Sequence, residues 1–151
     1  MAPPRSPSGA PPQGGAAGGP AEPAPRRPLD GGVLTAEDLR ALPSPGSWPA
    51  GCACARLQCA GWESIGAPLA EPAFRRIGTL RDPSVDEPTV EEWPGSRFWA
   101  ADTPISPEHF PYNRCDVWAC AACGRAFLQY TEVGGYYVDH RVRQLDPALV
   151  V

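Results

Sequence analysis

The chain has 151 residues, with 13 basic and 17 acidic side chains, a formal net charge of −4, and 16 Gly and 21 Pro. That length argues for one domain, and the acidic balance disfavours a nucleic-acid module, which normally presents a basic face. No apolar stretch is long enough to span a bilayer and the amino end lacks a leader's apolar core, so the expected place is the cytoplasm, where six cysteines serve as metal ligands or reactive thiols.

Residues 1–32 carry a single Leu (Leu29), no aromatic and no periodicity. Such a segment buries too little apolar surface to offset its ordering entropy, and a disordered Pro/Gly-rich tail with polyproline-like stretches is predicted. The foldable part is then 33–151, where ten Arg stand against fifteen acids, a charge of −5. A core interrupted by so many prolines is thin, which is where a metal staple contributes most.

A short helix follows the tail. Thr35 suits an N-cap, Glu37 and Asp38 favour the first turn, Leu34 and Leu39 form a hydrophobic staple across the cap, and Pro43 stops the helix. Residues 43–51 form a loop leading to the first cysteines, and 61–65 a short strand. From Pro68 to Pro88 the prolines predict an irregular connection, anchored by Phe74, Ile77 and Leu80. Residues 89–93 and 97–101 are rich in β-formers around Pro94-Gly95-Ser96, which predicts a small hairpin. After a proline-punctuated loop, 114–118 should be a strand. The runs 126–133 and 136–143 flank Gly134-Gly135 and predict a hairpin with a two-residue turn. In that register Val133 faces Tyr136, Thr131 faces Val138 and Phe127 faces Val142. The opposite face pairs Glu132 with Tyr137, Tyr130 with Asp139 and Leu128 with Arg141, and His140 lies opposite Gln129.

The cysteines fall into two clusters: Cys52, Cys54 and Cys59, and then Cys115, Cys120 and Cys123. Cys120-x-x-Cys123-Gly124 is a knuckle whose sulfurs converge while Gly relieves the turn. Two tight turns face to face supply the four sulfurs of a tetrahedral zinc site. Cys54 and Cys59 are the preferred second pair, giving Cys54, Cys59, Cys120 and Cys123. Cys52 is the alternative ligand, because strand-like alternation would point Cys52 and Cys54 apart. Cys115 reads as a buried core thiol.

Two knuckles (52–59 and 120–123), the second leading into a β-hairpin (126–143), resemble the zinc ribbons, with the first knuckle departing from the usual Cys-x-x-Cys spacing. The resemblance implies a small, mainly β (β-rich α+β) domain with one short N-terminal helix and one structural zinc. The stretch NRCDVWACAACGRAFLQYTEVGGYYVDHRVRQLDPALV also resembles a group of uncharacterised bacterial proteins, which implies no activity.

Other chemistries have weaker support. Cys115-x4-Cys120-x2-Cys123 matches a plant-type iron–sulfur spacing, but no fourth cysteine follows. A redox dithiol would need an activating helix start after the knuckle, where the residues are β-like. His109 and His140 lack a deaminase context, and without any Lys there is no phosphate loop. An enzyme is therefore disfavoured. The expected function is protein binding by a structural-zinc domain, with Tyr130, Tyr137, Asp139 and Arg141 on the hairpin's outer face as contacts, joined by Trp93 and Trp99 where exposed. The rival classes are a nucleic-acid-binding ribbon, needing a patch of Arg125, Arg141 and Arg143, and a thiol-redox or iron–sulfur protein.

Overall fold

The computed structural model describes residues 4, 29–46 and 51–151. Most of the predicted tail and residues 47–50 of the first loop lie outside them. Helix α1 (Ala36–Arg40) begins where expected. The Thr35 hydroxyl accepts from the Asp38 N–H at 3.2 Å, and the Asp38 carboxylate accepts from the Thr35 N–H at 2.8 Å, closing a capping box. Leu34 and Leu39 are both buried, as a staple requires.

Five strands form one antiparallel sheet: β1 (Glu63–Ile65), β2 (Phe74–Thr79), β3 (Asp116–Cys120), β4 (Ala126–Val133) and β5 (Val138–Gln144), in the order β1-β5-β4-β3-β2. The fold is mainly β, as expected. Strand β2 replaces part of the predicted irregular connection; all four prolines of 68–88 lie outside its six residues. Phe74, Ile77 and Leu80 are buried as anchors. A bulge between Arg76 and Gly78 inserts one residue, so Ile77 and Leu80, three apart, share one face of the sheet.

Residues 31–34 lie along the outer edge of β2. The Leu34 N–H donates to Thr79 O at 2.8 Å and the Thr79 N–H to Gly32 O at 3.0 Å, in parallel sense at Val33. Gly78 permits this approach: a Cβ there would sit 2.5 Å from Leu34 Cγ and 2.8 Å from Gly32 O.

The small hairpin predicted over 89–101 is absent among the described residues; successive turns take its place, including Ser96 N–H to Trp93 O at 3.0 Å. Its carbonyls are used elsewhere. Asn113 Nδ2 and the Arg114 guanidinium donate to Thr89 O at 2.8 and 3.1 Å, and the Phe110 N–H donates to Glu91 O at 2.8 Å.

The β4–β5 hairpin differs from expectation by two residues of register: Val133 faces Val138, Thr131 faces His140, Gln129 faces Val142 and Tyr130 faces Arg141. The turn spans 134–137, with the Gly134 N–H donating to Tyr137 O at 2.9 Å. An even shift keeps each side chain on its predicted face, but changes its partner. His140 Nδ1 accordingly lies 2.9 Å from Thr131 Oγ1 and has lost the expected partner Gln129.

Both faces of the sheet are covered. On one, Val117, Leu128 and Tyr130 pack with Leu39, Ile77, Trp62 and Tyr112; on the other, Phe127 and Val142 pack with Phe74, Leu69 and three cysteines. Arg143 pins the loops to the first face. It is fully buried, with Nε donating to Ala60 O at 3.1 Å, Nη2 to Ala101 O and Thr103 O at 3.0 and 2.8 Å, and Nη1 to the Tyr112 hydroxyl.

Candidate metal centre

The site is assembled where β3 ends and the first cysteine turn meets it. Cys120 is the last residue of β3, and the chain then reverses through Ala121–Gly124. The Gly124 N–H donates to Cys120 O at 2.8 Å, and Gly124 has φ 79°, the left-handed region open to glycine. The Cys120 N–H donates to Arg125 O at 2.8 Å, closing the turn. Opposite it, Ala53–Leu57 form a 3₁₀ turn capped by Cys52, with the Ala55 N–H donating to Cys52 O at 3.0 Å.

The sulfurs of Cys52, Cys54, Cys120 and Cys123 all lie within 4.8 Å of one another. Among them, Cys52–Cys54 and Cys54–Cys123 lie at 3.4 Å and Cys52–Cys120 at 3.6 Å. Zinc–sulfur bonds of about 2.3 Å would place tetrahedral sulfurs ~3.8 Å apart. Four soft donors at this spacing fit one such ion, and the cluster is compatible with a zinc-ribbon-like site. Cys54 is fully buried, Cys120 nearly so, Cys52 half-buried and Cys123 exposed.

The predicted quartet is thus corrected at one position: Cys52 stands in the group and Cys59 does not. The argument from strand alternation fails because the segment is a 3₁₀ turn, which brings both Cys52 and Cys54 to the same side. Cys59 packs into the core beside Phe127 and Val142. Its thiol donates to Leu57 O at 2.9 Å, and its carbonyl accepts from the Gln144 N–H at 2.8 Å. Gly51, with φ 77°, turns the chain just before the pair of Cys52 and Cys54. Cys115 is a core thiol as expected, donating to Pro111 O at 3.3 Å, and packs on the opposite face of the sheet from Cys120. The plant-type iron–sulfur arrangement through Cys115 is thereby overturned.

Burial pushes the Cys54 and Cys123 thiols up, and pushes Cys59 up to about 12. Burial acts upward on Cys120 too, but the N–H groups of Cys123 and Ala122, with the thiols of Cys52 and Cys123, outweigh it and bring Cys120 down to about 7. Cys120 is therefore the thiol most ready to be a thiolate.

The predicted contact residues separate into two groups. Tyr130 is corrected: only 3% exposed, it lies beneath Trp62 and Phe110, with ring centroids at 5.1 and 6.2 Å. The irregular segment 98–112, which in place of the expected hairpin folds over this face, supplies part of that cover. Tyr137 is exposed, and Asp139 and Arg141 are half-buried. Arg141 donates from Nε to Asp139 at 2.8 Å and from Nη1 to the Tyr130 hydroxyl at 2.8 Å, with its guanidinium 5.0 Å from the Trp99 ring centroid. That hydrogen bond, followed by one from Ser64, holds the Asp139 carboxyl below its ordinary range. Trp93 packs edge-on to His109 at 5.3 Å, and Trp99 is 56% exposed. Of the three arginines named for a nucleic-acid patch, Arg143 and Arg125 are buried and Arg141 is paired with Asp139.

Fold and site together define a mainly β domain whose sheet end carries a four-cysteine group of metal-ligating geometry. Comparison with protein-family models, curated proteins and solved structures returned no match. Among the described residues no helix is long and apolar enough to cross a membrane.

Proposed function

We propose that the protein is a structural-zinc protein whose domain serves as a protein-interaction module. The observation that carries the reading is the convergence of four sulfurs, from turns nearly seventy residues apart in sequence, within 4.8 Å. A Cys₄ set is the usual ligand set of structural zinc, and four thiolates leave no open coordination position for water or substrate. Bound there, the ion would supply a cross-link between the two turns. Cys52 and Cys54 would hold it from the 3₁₀ turn, and Cys120 and Cys123 from the end of β3.

The contact surface proposed for a protein partner is the outer part of the hairpin. Trp99 is an exposed aromatic against Arg141, which is paired with Asp139, and Tyr137 is exposed in the adjoining turn; Tyr, Trp and Arg are the residue types that anchor interfaces. Elemental analysis of the purified full-length protein tests the metal. About one zinc per chain is expected, with loss of β-sheet circular dichroism when a chelator removes it. Iron with visible absorption, or no metal, would refute the zinc reading.

A further inference from the structure

We infer that the four-cysteine centre is also an oxidation site for hydroperoxides, entered through Cys123 and closing in the pairing Cys54–Cys123 and Cys52–Cys120. The inference rests on the four-thiolate reading above and adds to it the order and partners of oxidation.

Four cysteines allow three disulfide connectivities, and the geometry separates them. Two of the short sulfur contacts, Cys54–Cys123 at 3.4 Å and Cys52–Cys120 at 3.6 Å, join the two turns and share no residue, so both bonds can form in one molecule. A third short contact, Cys52–Cys54 at 3.4 Å, would close a ring across one intervening residue and leave Cys120 and Cys123 to each other. Cys123 is the exposed member of the group, while Cys54 and Cys120 are buried. An oxidant from solvent therefore meets Cys123 first, and the Cys54 sulfur on the other turn lies 3.4 Å from it.

The chemistry balances with the hydroperoxide as oxidant. The Cys123 sulfur attacks the terminal peroxide oxygen, the O–O bond breaks, and the departing oxygen takes a proton to leave as water or an alcohol. The Cys54 sulfur then attacks the Cys123 sulfenic acid; the S–S bond forms and the hydroxyl leaves as water after taking a proton. Two sulfurs have lost one electron each to one peroxide bond. Cys52 and Cys120 repeat the sequence with a second equivalent.

Both predicted bonds join the two turns, across 69 and 68 residues of chain. Oxidation then replaces one cross-link by another of the same connectivity, and the sheet end stays closed after the metal has left. Cys59 and Cys115, hydrogen-bonded inside the two cores, stay reduced.

The test treats zinc-loaded full-length protein with hydrogen peroxide, follows release with a chromophoric chelator, and maps disulfides by tandem mass spectrometry of unreduced peptides. The expected first product is Cys54–Cys123, then Cys52–Cys120, with retained β-sheet dichroism in the oxidised, metal-depleted protein. A Cys120–Cys123 or Cys52–Cys54 product, links between chains, or thiols left unoxidised after zinc is lost would overturn the inference. The zinc reading is judged separately, by metal content before peroxide is added. A Cys123→Ser variant adds a second measurement: Cys54 should then be oxidised at least several-fold more slowly, and an unchanged rate would overturn entry through Cys123.

Discussion

Arg143 is a cation with no exposure, bound to three carbonyls and a phenol, and it supports a quantitative prediction. In Arg143→Met the aliphatic stem keeps most of its packing while every hydrogen bond is lost. Ala60 and Ala101 are exposed residues whose carbonyls can turn to water, so their loss costs little. Thr103 O and the Tyr112 hydroxyl sit in buried contacts with Arg143 and cannot rehydrate without opening the loop. Leaving two such groups unsatisfied costs about 1–3 kcal/mol each. The removed guanidinium no longer has to be desolvated, which offsets part of that. A net loss of about 2–4 kcal/mol follows, a large fraction of the ~5–15 kcal/mol typical of a domain. Urea denaturation of both proteins, at one fixed zinc concentration and with equal slopes, measures the difference. A loss below about 1 kcal/mol would refute the reasoning, because it would mean the loop carbonyls find water freely and Arg143 pins nothing. Arg141→Met is the comparison: its charge partners are at the surface and it leaves one buried group, the Tyr130 hydroxyl, without its donor, so it should cost less, about 1–2 kcal/mol.

Two further outcomes test the site. Cys52→Ser should lower bound zinc well below one per chain, whereas Cys59→Ala should leave zinc unchanged and cost about 1 kcal/mol of stability through a small core void; elemental analysis with urea curves separates them, and the reverse pattern would restore the Cys59 quartet. Zinc affinity should also rise with pH, since Cys54 and Cys123, held above the ordinary thiol value chiefly by burial, are protonated in the metal-free protein at neutral pH and must lose those protons on binding. Two protons displaced make the affinity rise at least about 100-fold per pH unit near neutrality, measured by competition with a chelator of known pH dependence; a flat profile would refute it.

The parts legible in the sequence were those governed by local chemistry. Thr35, Asp38 and Pro43 define α1 through capping and the missing proline N–H, and the Cys120-x-x-Cys123-Gly124 turn needs only its own residues. The alternation of 126–133 gave each side chain its correct face even though the register moved, because an even slip preserves parity. What was not legible depended on distant partners. The turn at 134–137 takes four residues where Gly134-Gly135 suggested two. Tyr130 looked like a surface residue until Trp62 and Phe110, from two separate segments, closed over it. The Cys52/Cys59 choice turned on whether five residues coil or extend, and short spacing alone does not decide that.

The strip of residues 31–34 along β2 has a consequence for solubility. Without it, β2 would present unpaired N–H and C=O groups to solvent, the condition under which sheets recruit strands from other molecules. The other boundary strand, β1, has only three residues and carries Glu63, a short and charged edge that discourages such pairing. The sheet is thus guarded differently at its two sides, by brevity and charge at β1 and by the chain's own backbone at β2. Losing that backbone cover would turn the β2 side into the place where one copy of the protein could add to the next.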